Sequence, residues 1–412
     1  MDREPFQVEF VTPCFLGGAR GTAEWRSASI RGQLRWWFRA VGGARWSGNL
    51  ERVRREEERL FGSTDRRSLL RLRILASPQP VKSPFGRNLL AARLAEIYRE
   101  PSAEGRLKLL GPRGEEGSNA LHYLAFGPVA KGVTERQYLA ALSTARFEIQ
   151  WGPGAPKNDD DVREVFGQAL TAWLNLGGIG AKNRKGFGSL RCDSNRFYQA
   201  PADIHQFEAT IKQLLAMGRR FQGEPEWTHF SSGSRVFIGE SSGKWDDAME
   251  RLGAWLIGFR RRYGSPRDSR SLNDLTLANR DYEWAAPKGT HPQEGVPDRA
   301  GFGLPLPFRR NINGQPRGET VIWGARPRQG EPRMNEQDAR RASPLLLHVS
   351  KLGDSFVPVL TYLPARFLPK DGQLKFKGPS RSLYDLTQQQ RSIIPSFLEN
   401  LHTKGLIREV LP

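Results

Sequence analysis

VREVFGQALTAWLNLGGIGAKNRKGFGSLRC, residues 162–192, contains the pattern that decides how this chain is read. Val162, Val165, Phe166, Ala169, Leu170, Trp173 and Leu174 recur at the three-and-four spacing of a helix with one buried stripe. Gly177-Gly178 is the expected glycine stop, and Phe187–Cys192 reads as a strand. The loop between them has five glycines: Gly177, Gly178, Gly180, Gly186 and Gly188. Such residues let a backbone take positive φ and approach a ligand closely. Lys182, Arg184 and Lys185 add positive charge, and the Asn183 amide can reach a phosphate or ribose. A plain surface turn does not need this many glycines and cations together. A nucleotide P-loop is a poor fit, because GxxxxGK[ST] is absent and the loop follows a helix C-terminus, whose dipole repels phosphate.

Working outward, Phe6–Thr12 alternates as a half-buried strand, Cys14–Trp25 is a glycine- and alanine-rich loop, and a helix runs from about Ser29 to Val41, stopped by Gly42-Gly43. Arg52–Leu60 reads as a helix with a solvated, ion-paired face. Strands are expected at Leu69–Ala76, Leu121–Phe126 and Phe147–Trp151, with a short helix at Leu89–Tyr98. Asp159-Asp160-Asp161 caps the 162–176 helix. Strand, helix, strand, strand, helix, strand is the ferredoxin-like split βαβ order, with insertions. A second unit starts near Ala202: helices at Ile204–Arg220 and Trp245–Tyr263 surround a strand at Arg235–Gly239. Strand-like runs follow at Thr320–Gly324, Leu345–Val349 and Phe356–Leu363, then a helix at about Leu386–Leu401, kinked or split at Pro395. The expected fold class is α+β, with units at 1–200 and 201–412.

A chain of 412 residues has room for about two to three domains of roughly 150 residues. Its 63 Lys and Arg outnumber 44 Asp and Glu for a net charge of +19, which points to a polyanionic partner, most simply nucleic acid. Cys14 and Cys192 form no CxxC pair, so neither a structural zinc nor a disulfide framework is indicated. The start, MDREPFQVEF, lacks a signal-peptide pattern and no run approaches 18 apolar residues, so a cytoplasmic protein is expected.

On the 29–41 helix, Ile30, Leu34, Trp37, Phe38 and Val41 form the core side, with Arg31, Arg35 and Arg39 one turn apart in an adjacent stripe. Three stacked guanidinium groups repel one another unless an anion lies across them. RNA phosphates would supply it, as would carboxylates of other elements. Trp36 points away from the core, free to stack on a base or on the neighbouring loop. The candidate RNA contacts are Arg26, Arg31, Arg35, Trp36 and Arg39, then Gly178, Gly180, Lys182, Asn183, Arg184, Lys185 and Gly186. In the second half Arg309, Arg310, Arg340 and Arg341 are candidates on charge alone.

Thr12-Pro13, Gly17-Gly18-Ala19 and SIRGQLRWWFRA (29–40) together resemble the opening of a RAMP-superfamily CRISPR protein, and Gly177–Leu190 is similar to that superfamily's glycine-rich loop. The form of the arginine helix is closest to the first-numbered subunit of Cmr, type III-B, effectors. Gly303-Leu304-Pro305-Leu306 and Arg341-Ala342-Ser343-Pro344-Leu345 match in short patches. The resemblance implies two ferredoxin-like, RRM-related domains. It also implies a place in a ribonucleoprotein that holds the 3′ part of a CRISPR RNA paired with target RNA, beside other Cmr RAMP subunits. In such assemblies base pairing reads sequence while protein grips backbone.

No catalytic residue, metal site or cofactor is expected. Six histidines, His122, His205, His229, His291, His348 and His402, lie far in sequence from the arginine helix and the loop, and read as surface or core residues. RAMP nucleases use a histidine near the first helix or an aspartate in the loop before it. Here the only acid in Cys14–Ser29 is Glu24, which pairs with Arg26 or a neighbour. GGDD, HD-pair and HExxH patterns are missing. Two alternatives stand beside RNA binding: a metal-independent endoribonuclease using Lys182, Arg184 or Lys185 with a hydroxyl, and a structural subunit whose basic surface meets proteins.

Overall fold

A computed structural model describes residues 3–18, 21–83, 120–130, 133–134, 136–156, 160–261, 298–304, 306–308, 318–323, 341–367, 373–377 and 393–412. The first sheet contains β1 (Arg3–Phe10), β2 (Leu70–Ala76), β3 (Thr144–Trp151) and β4 (Leu190–Cys192), in the spatial order β2-β3-β1-β4, all antiparallel. Phe6 stands opposite Phe147, their rings stacked with centroids 4.7 Å apart. Alternation on β1 drives Phe6, Val8 and Phe10 into the core under α1 (Ser27–Arg45) and α4 (Asp161–Leu176), which pack together. Two further helices, α2 (Leu50–Phe61) and α3 (Ala120–Leu124), precede α4.

After α5 (Ile204–Gly218), the chain lays down β5 (Arg235–Gly239), α6 (Trp245–Arg261), β6 (Leu345–Leu352), β7 (Ser355–Tyr362), α7 (Ile393–Thr403) and β8 (Ile407–Glu409). These four strands form a second antiparallel sheet in the order β6-β7-β5-β8. Numbered within its own sheet, each set runs 2-3-1-4. One face of this sheet, including Ile238, Leu346 and Val359, joins the first core. Its other face, including Phe237, Leu347 and Leu360, packs with α6 and α7 in a second core. That double burial explains LLLHVSKL on β6, which does not alternate. A smaller sheet joins Leu306–Phe308, Gly318–Trp323 and Gln373–Lys377.

Four expectations change. Gly42-Gly43 does not stop α1, which runs to Arg45. A Cβ on Gly43 would lie 2.7 Å from the His229 side chain, so this glycine admits a neighbour instead of ending the helix. Leu121–Phe126 is a helix over its first part because Ala120, Leu121 and Leu124 bury one stripe against α6. The face of α2 is not wholly solvated, since Glu56 and Glu57 are buried. Pro395 falls in the first turn of α7, where a missing N–H costs nothing, and no kink is needed. The expected helix at Leu89–Tyr98 lies outside the described residues. Asp160 caps α4 as expected, its carboxylate accepting from the Val162 N–H at 2.8 Å.

Candidate nucleic-acid interface

The glycine loop of 177–188 is held on two sides. Toward the first unit, the Ala181 N–H donates to the Phe15 carbonyl at 2.8 Å and the Gly188 N–H to that of Pro13 at 3.0 Å. The Thr12 hydroxyl donates to the Gly186 carbonyl at 2.7 Å and accepts from the Ser189 N–H at 3.0 Å. Toward the second unit, the Leu347 N–H on β6 donates to the Arg184 carbonyl at 3.1 Å, and the Val349 N–H to the Ser189 hydroxyl at 3.2 Å. Gly180 has φ +86° and a Cβ there would sit 2.6 Å from the Phe15 carbonyl oxygen, so only glycine fits. Lys182 takes φ +64° despite having a side chain. The glycines thus serve close packing against protein, and much of the loop's backbone hydrogen bonding is used internally.

Charge is supplied by side chains. The Arg184 guanidinium lies 4.9 Å from the Trp36 ring centroid and donates to the Ser343 carbonyl. Burial, then the charge of Arg341, lowers its pKa to about 10. Lys185 keeps a partial opening to the surface, yet burial, followed by Arg260, Lys182 and Arg184, lowers its pKa to about 7. Burial also lowers Lys182 and Arg341. Five cations therefore converge from the loop, from α6 and from Arg341 in the segment that precedes β6. Among the described residues, no carboxylate forms an ion pair with Lys182, Arg184 or Lys185, whereas most of the protein's other arginines near α1 have one. Arg260 donates instead to the Tyr123 hydroxyl at 2.6 Å.

The arginine ridge is differently placed. Arg35 Nε lies 2.6 Å and Arg39 Nη1 3.0 Å from one carboxylate oxygen of Glu57, a buried residue of α2. Arg31 donates to the Leu70 carbonyl at 3.4 Å, and Arg26 Nε is buried without a hydrogen bond. The anion across Arg35 and Arg39 is thus the protein's own. Ridge and loop meet in a cleft of about 340 Å³ lined by Gln33, Trp36, Arg39, Gly178, Asn183 and Arg184, among others. Asn183 spans it, donating to the Gln33 side chain at 3.2 Å and the Gly178 carbonyl at 3.3 Å. Gly186 faces Met249 of α6, away from the ridge. Arg309, Arg310 and Arg340 lie outside the described residues, while Arg341 N–H donates to the Leu304 carbonyl at 3.2 Å and thereby joins the two short second-half patches.

Remoteness in sequence does not keep the histidines away. His348 Nδ1 is 2.6 Å from the Gly177 carbonyl, so that nitrogen carries the proton, and burial lowers the ring's pKa to about 4. His229 packs against Gly43 of α1, and burial lowers its pKa too. Both are core groups held toward the neutral form. The outward face of the first sheet carries Arg3, Pro5 and Gln7 on β1 and Arg146, Glu148 and Gln150 on β3, with no aromatic side chain to stack a base. Glu57, Gln33, Arg260 and His348 all belong to the site or its frame and were missed in the sequence. Only Arg260, in the run Arg260-Arg261-Arg262, had a visible signal there.

Residues 7–191, from β1 through β4, match the RAMP superfamily. Over 192 residues the chain is 29% identical to CRISPR system Cmr subunit Cmr1-2 of Pyrococcus furiosus, covering 45% of this chain and 92% of that one. Over 191 residues it is 29% identical to Cmr1-1 of the same organism, covering 46% of this chain and 47% of that relative. Across its whole length it superposes on the crystal structure of apo Cmr1 from Pyrococcus furiosus with a TM-score of 0.50 at 19% identity, covering 100% and 99% of the two chains. That superposition speaks for a shared fold. Among the described residues, no helix is long and apolar enough to cross a membrane.

Proposed function

We propose, from the premise that residues 7–191 are a RAMP-superfamily domain resembling Cmr1, that this chain is an RNA-binding, non-catalytic subunit of a type III-B CRISPR (Cmr) effector complex. In this reading it holds the 3′ part of a CRISPR RNA and its target RNA in the cytoplasm, beside other Cmr RAMP subunits, in antiviral defence. Each of its two halves, 1–200 and 201–412, is a ferredoxin-like unit, a reading supported by the matching 2-3-1-4 strand order of the two sheets. The observation that carries the function is the group Lys182, Arg184 and Lys185, which has no described carboxylate partner and stands on a loop whose shape is fixed by protein contacts. Such a group suits phosphate and does not require a particular base sequence. Arg35 and Arg39 reach phosphate only by sharing or leaving Glu57, so the loop is the primary grip and the ridge a secondary one.

The test is single-stranded RNA binding against salt. Lys182→Ala, Arg184→Ala and Lys185→Ala together should lower the log–log salt slope by roughly 0.7 for each phosphate that the variant no longer neutralises. An unchanged slope in a folded variant would refute the assignment. One observation favours a second reading: Lys185, its pKa lowered to about 7, is partly deprotonated at pH 7, as a general base must be. An endoribonuclease would cut repeat-containing RNA without divalent metal and lose that activity in Lys185→Ala. Intact RNA after prolonged incubation supports the binding subunit.

A further inference from the structure

A second group of cations stands on the other side of the first sheet. Phe6, Val8 and Phe10 of β1 point under α1 and α4, whereas Arg3 on β1, Arg71 and Arg73 on β2 and Arg146 on β3 point the opposite way and are exposed. Register gathers them on one plate. Arg71 stands across Gln150 from Arg3, Arg73 lies one row on beside Glu148, and Arg146 one row further beside Gln7. At about 7 Å between alternate residues of a strand and about 4.8 Å between strands, the group covers roughly 10 by 14 Å. On the helix side, arginines find carboxylates: Arg35 and Arg39 share Glu57, and Arg45 and Arg52 share Asp161. Among the described residues, Arg3, Arg71, Arg73 and Arg146 have no ion pair and no side-chain hydrogen bond. The nearest carboxylates are engaged elsewhere: Glu148 accepts from the Gln150 amide, and Glu9 pairs with Lys351 and Arg191.

We infer that this face binds the backbone of a double-stranded RNA, at a site apart from the glycine loop. Like charges on neighbouring strands repel across a sheet, and an anion laid over them relieves that repulsion. The forked guanidinium groups match phosphate oxygens. The face has no aromatic ring on which an unpaired base could stack, which is how single strands are commonly held. A duplex encloses its bases and offers phosphates and 2′-hydroxyls, which the arginines and the exposed amide of Gln7 can meet without reading sequence. A protein partner would need an apolar centre to its interface, and the outward positions of β1 and β3 offer only Pro5. Arg66 and Arg67, exposed in the turn before β2, extend the charge along the edge of the sheet.

The full-length protein is titrated over a range of salt with a blunt-ended RNA duplex of about 16 base pairs and, separately, with single-stranded RNA. Arg71→Ala, Arg73→Ala and Arg146→Ala together should lower the duplex log–log salt slope by about 0.9 for each phosphate released and weaken duplex binding about tenfold at physiological salt. The single-strand slope should stay as it was. Replacing Lys182, Arg184 and Lys185 by Ala should do the reverse. Should the triple face variant fail to fold, the three single variants, each expected to lower the duplex slope by about 0.9, carry the same test. A duplex slope unchanged by the face variants, or an equal loss for both RNAs, would overturn the inference. Displacement of the duplex by polyglutamate as readily as by a second duplex would also overturn it, and would assign the face to an acidic protein surface. The reading of the glycine loop stands or falls on the single-strand slope alone.

Discussion

RNA affinity should depend on pH through one lysine. Lys185 titrates near pH 7 in the free protein because burial and the charges of Arg260, Lys182 and Arg184 all oppose its ammonium form. A phosphate beside it would favour that form and return it toward the ordinary lysine range of about 10.4. The sign follows directly. Above pH 7 the free protein must take up a proton to bind, so affinity falls as pH rises. Below pH 7 the lysine is already charged and affinity is flat. Integrating the linkage gives about a tenfold loss of affinity between pH 6 and pH 8, with roughly half a proton taken up at pH 7. Arg184, at about 10, and His348, at about 4, do not titrate in this interval. Anisotropy titrations of single-stranded RNA at constant ionic strength measure the first quantity, and calorimetry in buffers of different ionisation enthalpy the second. Lys185→Gln should flatten both. A wild-type affinity constant from pH 6 to 8, or a slope that survives Lys185→Gln, would refute the reasoning.

Three further outcomes are expected. Glu57→Gln leaves Arg35 and Arg39 without their shared carboxylate; since both arginines are partly exposed, the cost to stability should be about 1–2 kcal/mol, seen as a lower Tm. The same change frees the ridge, so RNA affinity should hold or rise, and a large drop in affinity would contradict the order of grip proposed above. Within α1, Gly43→Ala should destabilise by about 1–3 kcal/mol because its Cβ meets the His229 ring, whereas Gly32→Ala, with open space around it, should stabilise by up to about 1 kcal/mol; denaturant midpoints of the two variants moving together would contradict the packing. Because the folded-state pKa of His348 lies below its unfolded value, its contribution to stability is complete above about pH 6.5 and is lost as pH falls toward 4, so acid unfolding of His348→Gln should be less steep over that interval.

The elements were legible wherever local periodicity and burial agreed. Strands β1 and β3 bury one face each and their patterns show it, while α4 buries the predicted stripe and, from Ala172 to Leu176, its whole circumference. Legibility failed where a contact from distant sequence overrode the local signal. Gly42-Gly43 reads as a stop until His229 fills the space a side chain would take. Leu121–Phe126 reads as a strand until α6 gives it a helical partner. At the site, sequence located the cations but not their counter-ions. That Glu57 sits across Arg35 and Arg39, while Lys185 has no such neighbour among the described residues, depends on how α2 and α6 pack, and no spacing encodes it. The glycines also had a different use from the one expected: Gly180 and Gly186 make room for Phe15 and Met249.

The two-sided hold on the glycine loop bears on the order in which the protein matures. Arg184 meets the Ser343 carbonyl across 159 positions of chain, and His348 meets Gly177 across 171. A ribosome therefore finishes every lysine and glycine of the loop long before it makes the strand that braces them. In that interval the Arg184 carbonyl and the Ser189 hydroxyl lack their β6 donors, and Arg341 has not joined the cluster. The nascent chain has the cations without the frame that aims them. The framed cluster thus exists only once residues 341–349 have been made and folded against the loop.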